Sequence, residues 1–349
     1  MPLQVTRRTR NRRRKKGFGL AAFLLGLPLL AISVLCAAWF VVLPAGPDME
    51  TFVEIAPGSS TSQIAGELQQ AHVIRNRYVF ELVRVLKRGR LKAGEYRFEH
   101  SATVAEVYAR IARGDVYTKT LIIPEGANRF DIAVRVAEAG LGSSEDFLKA
   151  TVTEASLIAD IDPHAATVEG YLFPATYRFP RKATAAQMIA AMVRRFRAEA
   201  AQIGLQDNFR SVVTIASLVE RETAVDAERP LVASVLTNRL ASKMALMTDP
   251  AVIYGLETEG KWRGTIYASD LAYDTPYNTY KHEGLPPGPI ANPGLPSLRA
   301  AMHPAATAYL YFVAAGADPQ GKSRFAVSLD EHNKNVASYR EAVKRAGGR

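Results

Sequence analysis

The first apolar feature of the chain is also its longest. From Gly17 to Pro44 no residue is charged, and about 20 consecutive apolar residues suffice to cross a bilayer as a helix. A transmembrane helix over 17–44 is therefore expected, with Trp39 and Phe40 near its outer boundary and Pro28 tolerated inside it. A cleaved signal peptide is the alternative. Against it, the run is longer than a usual signal core, Leu43-Pro44-Ala45-Gly46 is a poor cleavage site, and Leu35 before Cys36 is not small.

Beyond a Pro/Gly linker at 45–52 the apolar spacing shortens. Val53 to Ala56 alternates as a strand, Pro57-Gly58 turns, and Ser60 or Thr61 can cap a helix carrying Ile64 and Leu68. A second helix is expected over Tyr78–Lys87, a strand over Glu95–Phe98, and a third helix opened by Thr103. These elements form a small unit over 50–117. The pattern restarts at Thr118. Leu121–Ile123 reads as a strand, and helices are expected near 128–139, 144–151, 185–200, 209–225 and 229–243. Leu172–Phe179 reads as extended, and 260–296 as a long loop dense in Gly, Pro, Tyr and Asn. Strands near 309–313 and 325–329 and a helix from Asp330 close the chain. The fold class is α+β: a transmembrane helix, a small module, then a mixed α/β catalytic domain over 118–349.

Charge refines this picture. The formal net charge is +10, but residues 7–16 supply eight positive charges and no acid. The remainder is near neutral, unlike a nucleic-acid binder, which carries its basic patch on the folded domain. A cytoplasmic basic arm over 1–16 followed by an exoplasmic remainder fits the positive-inside rule. Cys36 is the only cysteine, and the six histidines are scattered without the spacing of a helical zinc site. No metal and no cofactor are expected.

One helix carries candidate chemistry. At 100° per residue, Ile215, Leu218 and Val219 share a face of the 209–225 helix, and Glu222 falls in the middle of it. Glu220 and Arg221 point elsewhere. A carboxyl on an apolar face resists ionisation, so Glu222 can hold a proton near neutral pH and deliver it as a general acid. On pattern alone, a partly buried Glu paired with Arg229 or Arg239 remains the alternative. The 260–296 loop offers Tyr faces and Asn amides suited to sugar rings and N-acetyl groups. Long irregular loops in compact domains are often functional, and on composition alone a merely rigid surface loop is the equal alternative.

The segments KAGEYRF, VEGYLFPATY, IASLVERET, ERPLVASVLTNRL, TDPAVIYGL, YNTYKHEGLPPGPIANPG, SLRAAMHPA, YLYFVA and EHNKNV together resemble the YceG-like endolytic murein transglycosylase family. Met247, Thr275 and Ser323 depart from its usual pattern. The resemblance implies a periplasmic lyase that cuts between N-acetylmuramic acid and N-acetylglucosamine in nascent peptidoglycan strands and leaves a 1,6-anhydromuramyl end. It further implies that the 50–117 unit is similar to a LysM-type glycan-binding module, and that Glu222 is catalytic.

The expected location is the inner membrane, single-pass, N-terminus in the cytoplasm. The partners expected are glycan strands, the lipid bilayer and peptidoglycan synthases, without nucleic acid. Asp249, Tyr254, Tyr277, Asn278, Tyr280 and Asn292 are the candidate cleft residues. A hydrolytic muramidase, with Asp249 as second carboxylate, and a non-catalytic glycan-binding scaffold are the rival readings.

Overall fold

The computed structural model describes residues 43–318 and 321–347, together with 28, 29, 31–35 and 39. Two compact units meet at the Tyr117–Thr118 peptide. The architecture is α+β, and the expected transmembrane helix is not part of it. Among the described residues no helix is long and apolar enough to cross a membrane. A span takes about 20 helical residues. Of the 17–44 run, residues 28, 29, 31–35 and 39 are described as helical and 43 and 44 as non-helical, all exposed, and the rest of that run and the basic arm lie outside the described residues.

The first unit runs β1 (Thr51–Ile55), α1 (Thr61–Gln70), α2 (Arg77–Lys87), β2 (Gly94–Phe98) and α3 (Val104–Arg113). The strands pair antiparallel, with Val53 opposite Tyr96. Capping boxes open two of the helices, Ser60 with Gln63 and Thr103 with Glu106, each satisfying two otherwise orphaned N–H groups. Its core is its own: Ile55, Ile64, Leu68, Phe80, Tyr96, Phe98 and Ile111 are almost fully buried.

The second unit opens with β3 (Lys119–Ile122), antiparallel to β4 (Thr176–Phe179), with α4 (Arg129–Glu138) and α5 (Ser144–Thr153) between them. Then come α6 (Ala185–Gln202), α7 (Phe209–Glu222), α8 (Arg229–Ala241), α9 (Asp249–Thr258), the short α10 (Ala268–Ala272) and α11 (Leu295–Met302). The antiparallel pair β5 (Tyr311–Ala314) and β6 (Ser323–Ala326) and the surface helix α12 (Leu329–Gly347) end it. Neither α9 nor α11 stands out by periodicity. Both are instead started by a proline in the first turn, Pro250 and Pro296, where its fixed φ and missing N–H do no harm.

Two cores fill this unit, and α7 contributes to both. Val213 and Ala216 enter one core with Ile132, Phe147, Met192 and Phe196. Leu218 and Val219 enter the other with Val232, Leu236, Ala251 and Tyr254. A helix buried on more than one face must be apolar nearly all round, which is why 212–219 is so hydrophobic. The helix stops at Glu222 rather than running on to 225, because Thr223 is extended.

Candidate active site

Glu222 is the last residue of α7 and is partly buried. Its carboxyl pKa is pushed up to about 7, first by burial and then by the negative charge of Asp249, with Arg239 pulling the other way. The helix end acts in the same sense, since the partial negative charge of unpaired carbonyls disfavours a carboxylate there. Among the described residues no ion pair with Glu222 lies within 4 Å. The simple Glu–Arg pair that the pattern left open belongs to its neighbour instead. Glu220 Oε1 is 2.7 Å from Arg229 Nη1, both side chains are buried, and Glu220 Oε2 accepts the Gly294 N–H at 2.9 Å. Arg221 turns away and donates to the Gly126 carbonyl.

Two of the candidate cleft residues gather at Glu222. Asp249 opens α9, where the helix N-terminus favours negative charge, and its Oδ1 accepts a 2.6 Å hydrogen bond from the Tyr280 hydroxyl. Burial, that hydrogen bond and the nearby acids raise the Tyr280 pKa, so the phenol stays protonated and serves as a donor. The charge of Arg239 of α8 also acts on Glu222. Its Nε and Nη1 donate to the carbonyls of Leu310 and Leu246, both at 2.7 Å, and its guanidinium lies over the Tyr311 ring. Burial lowers the Arg239 pKa, yet its charge still acts on Glu222. The acid thus feels the opposing charges of a carboxylate and a guanidinium that are each held by neutral partners.

The other candidates hold structure. Asn278 is fully buried, and its amide nitrogen donates to the Leu271 and Tyr273 carbonyls while its oxygen accepts the Tyr280 N–H. It shapes the loop that delivers Tyr280. Asn292, also fully buried, accepts from Leu172 N–H and donates to the Ala127 carbonyl and to Glu169. Both amides are spent on protein partners. Tyr254 is buried against Tyr277, ring centroids 4.9 Å apart, and donates its hydroxyl to Glu169 Oε2 at 3.1 Å.

Glu169 is the residue that periodicity misses. It is buried at 3% exposure and also accepts the Arg129 N–H, so it caps the start of α4. Burial raises its pKa to about 7. Its one sequence signal is a lone carboxylate in the apolar segment VEGYLF. With Arg129, Asp162, Arg210, Tyr254 and Tyr277 it lines a cavity beside α9. Among the described residues no group of His, Cys, Asp and Glu could hold a metal ion.

The YceG-like family profile matches residues 53–338, which takes in both units and every residue of this site. The chain belongs to the YceG-like family. A Bacillus subtilis (strain 168) endolytic murein transglycosylase is 35% identical over 85% of this chain and 87% of its own length. A Streptococcus pneumoniae endolytic murein transglycosylase is 30% identical over 91% of this chain, which spans 64% of that longer protein. The crystal structure of a yceG-like protein from Listeria monocytogenes superposes with a TM-score of 0.54 at 34% identity, covering 82% of this chain and 98% of that one.

Proposed function

We propose that this YceG-like chain is an endolytic murein transglycosylase, a lyase, with Glu222 as its catalytic acid. The observation that carries the assignment of Glu222 is a carboxyl held protonated to about pH 7 at the end of α7, beside Asp249 and within the field of Arg239. The relatives' activity supplies the reaction. Glu222 gives its proton to the glycosidic oxygen between N-acetylmuramic acid and N-acetylglucosamine, and the bond from that oxygen to the muramyl anomeric carbon breaks. The carboxylate left behind takes the proton of the muramyl 6-hydroxyl, whose oxygen closes on the anomeric carbon. Atoms balance without water, and Glu222 ends protonated as it began.

Asp249 and Arg239 have defined parts in this scheme. The negative charge of Asp249 keeps the proton on Glu222 before cleavage and favours the developing oxocarbenium ion. The positive charge of Arg239 steadies the Glu222 carboxylate afterwards. Tyr280 holds Asp249 in place through its hydroxyl. The 50–117 unit, with its independent core, serves as a LysM-like module that holds glycan without cutting it. Cleavage takes place on the outer side of the cytoplasmic membrane, on nascent strands, and ends their elongation beside the synthases.

Digestion of purified peptidoglycan followed by mass spectrometry tests the reading. Anhydromuramyl ends that vanish with Glu222→Gln support it. Reducing ends that depend on both Glu222 and Asp249 would indicate a hydrolytic muramidase. Strands bound but uncut would indicate a scaffold.

A further inference from the structure

The first unit carries a surface that its glycan-binding role does not account for. Helix α2 buries Phe80 and Val83 in the core, yet Tyr78, Leu82, Val85 and Leu86 are 54–73% exposed. At 100° per residue these four fall within about one third of the helix circumference, on the side away from the buried pair. They make a continuous apolar stripe facing outward, where scattered single apolar residues would be unremarkable. Leu and Val offer no flat face for a sugar ring, so the stripe is poorly made for glycan.

Charge separates this segment from the rest of the chain. Residues 75–92 hold Arg75, Arg77, Arg84, Lys87, Arg88, Arg90 and Lys92 against the single acid Glu81, a net +6. With the eight positive charges of 7–16 set aside, everything else sums to −4. All seven basic side chains except that of Arg84 are exposed. Tyr78 is bracketed by the Arg77 guanidinium, 4.8 Å from its ring. An exposed apolar stripe bordered by Arg and Lys, with an aromatic at one end, is the form of a helix that lies in a bilayer interface.

We infer that α2 docks this unit on an anionic lipid surface, with Leu82, Val85 and Leu86 in the acyl boundary and Arg77, Lys87, Arg88 and Arg90 on the headgroup phosphates. Fixed charge complementarity chooses the occupant. A phosphate-rich surface satisfies both the six net charges and the aliphatic stripe, whereas a soluble polyanion satisfies only the first.

The test uses a chain of residues 43–349, which keeps every residue of all three cores and omits the apolar run that could bind lipid by itself. Sedimentation is measured with vesicles of phosphatidylethanolamine and phosphatidylglycerol, and with phosphatidylcholine vesicles. Binding to the anionic vesicles is expected to be at least about tenfold tighter. Leu82→Ser, Val85→Ser and Leu86→Ser combined, and Arg77→Glu, Lys87→Glu and Arg90→Glu combined, should each lower it about tenfold or more without lowering the melting temperature.

A second readout does not depend on variant stability. With Cys36 absent, Leu86→Cys gives a single site for an environment-sensitive dye. The dye should shift to the blue on anionic vesicles, while the same dye at Glu145→Cys should not. Equal binding to both vesicle types, a triple-serine variant that binds like its parent, or an unmoved dye at position 86 overturns the proposal.

Discussion

A glutamate at the end of a helix, largely withdrawn from water and within the field of an aspartate, is poised to hold a proton. Glu222→Gln keeps the shape but removes that proton, so the rate should fall at least about 100-fold, the lower range for losing general acid–base catalysis, at an unchanged melting temperature. Glycan digestion alongside thermal melts checks both. Glu220→Gln is an unsuitable control, although its different face on the helix first suggests it. It would disturb a buried ion pair and the Gly294 contact. Burial first and Asp249 second set the pH range. Glu222 must be protonated to act, so the rate should fall as pH rises through about 7. Asp249→Asn removes a charge that raises that pKa, moves the alkaline limb to lower pH, and should cost about three- to tenfold in rate at pH 8, for a shift of roughly half to one unit. A pH–rate profile of kcat/KM whose alkaline limb does not move in Asp249→Asn would sink this account.

Glu169 makes a second residue-scale argument, this time about stability. In the folded chain it keeps its proton to about pH 7, whereas an ordinary glutamate releases it near 4.5. The native state therefore binds more protons than the unfolded state between those values, and stability should fall as pH rises from about 4.5 to 7. Glu222 adds to the same slope. Glu169→Gln cannot titrate, so that variant's stability should vary less over this range. Its amide would also meet donors already aimed at the carboxyl, and the loss should be about 1–3 kcal/mol. Urea unfolding at several pH values measures both effects.

At the scale of elements, the site depends on how loops are tied to helices. Asn292 fastens the 284–294 loop to two separated segments, at Ala127 and at Glu169 with Leu172. Asn292→Ala strands those groups in the interior, and the expected outcome is a loss of about 2–4 kcal/mol of stability, not a changed KM in the fraction that stays folded. Melts and steady-state kinetics on one preparation separate the two.

The same ties explain what was readable in the sequence. The 3.6-residue period along 212–219 places Glu222 in line with Ile215, Leu218 and Val219, and the charge of Asp249 acts on it. The ties that Asn278 and Asn292 make are not legible, because composition reports which groups a loop contains and not where their hydrogen bonds go. Glu169 escaped notice because 168–173 is irregular and so has no period to read. Helices α9 and α11 were missed because each is buried on several sides, which erases the amphipathic stripe that periodicity detects.

At the scale of the molecule, the two units are held by separate cores. No residue of the core between β1 and α3 belongs to either core of the second unit, and the division falls at Tyr117–Thr118. Glu222, Asp249, Tyr280 and Arg239 all lie beyond it, as do Glu169 and Asn292. A chain of residues 118–349 therefore keeps every group that the proposed chemistry uses and every residue that packs around them. Each domain with its own core can fold alone, so this chain should unfold in one cooperative transition and still form anhydromuramyl ends. What it gives up is the hold of the first unit on the strand. Linking two binding modules raises the effective concentration of the second site, so removing one should raise KM for polymeric glycan by about tenfold or more and leave kcat within about a factor of three. On a short soluble glycan that cannot reach both units, the whole chain and the 118–349 chain should then perform alike. If the shortened chain is folded but cleaves polymer with the KM of the whole chain, the first unit does not hold the strand. If it is folded but inactive on short glycan as well, the first unit supplies part of the active site.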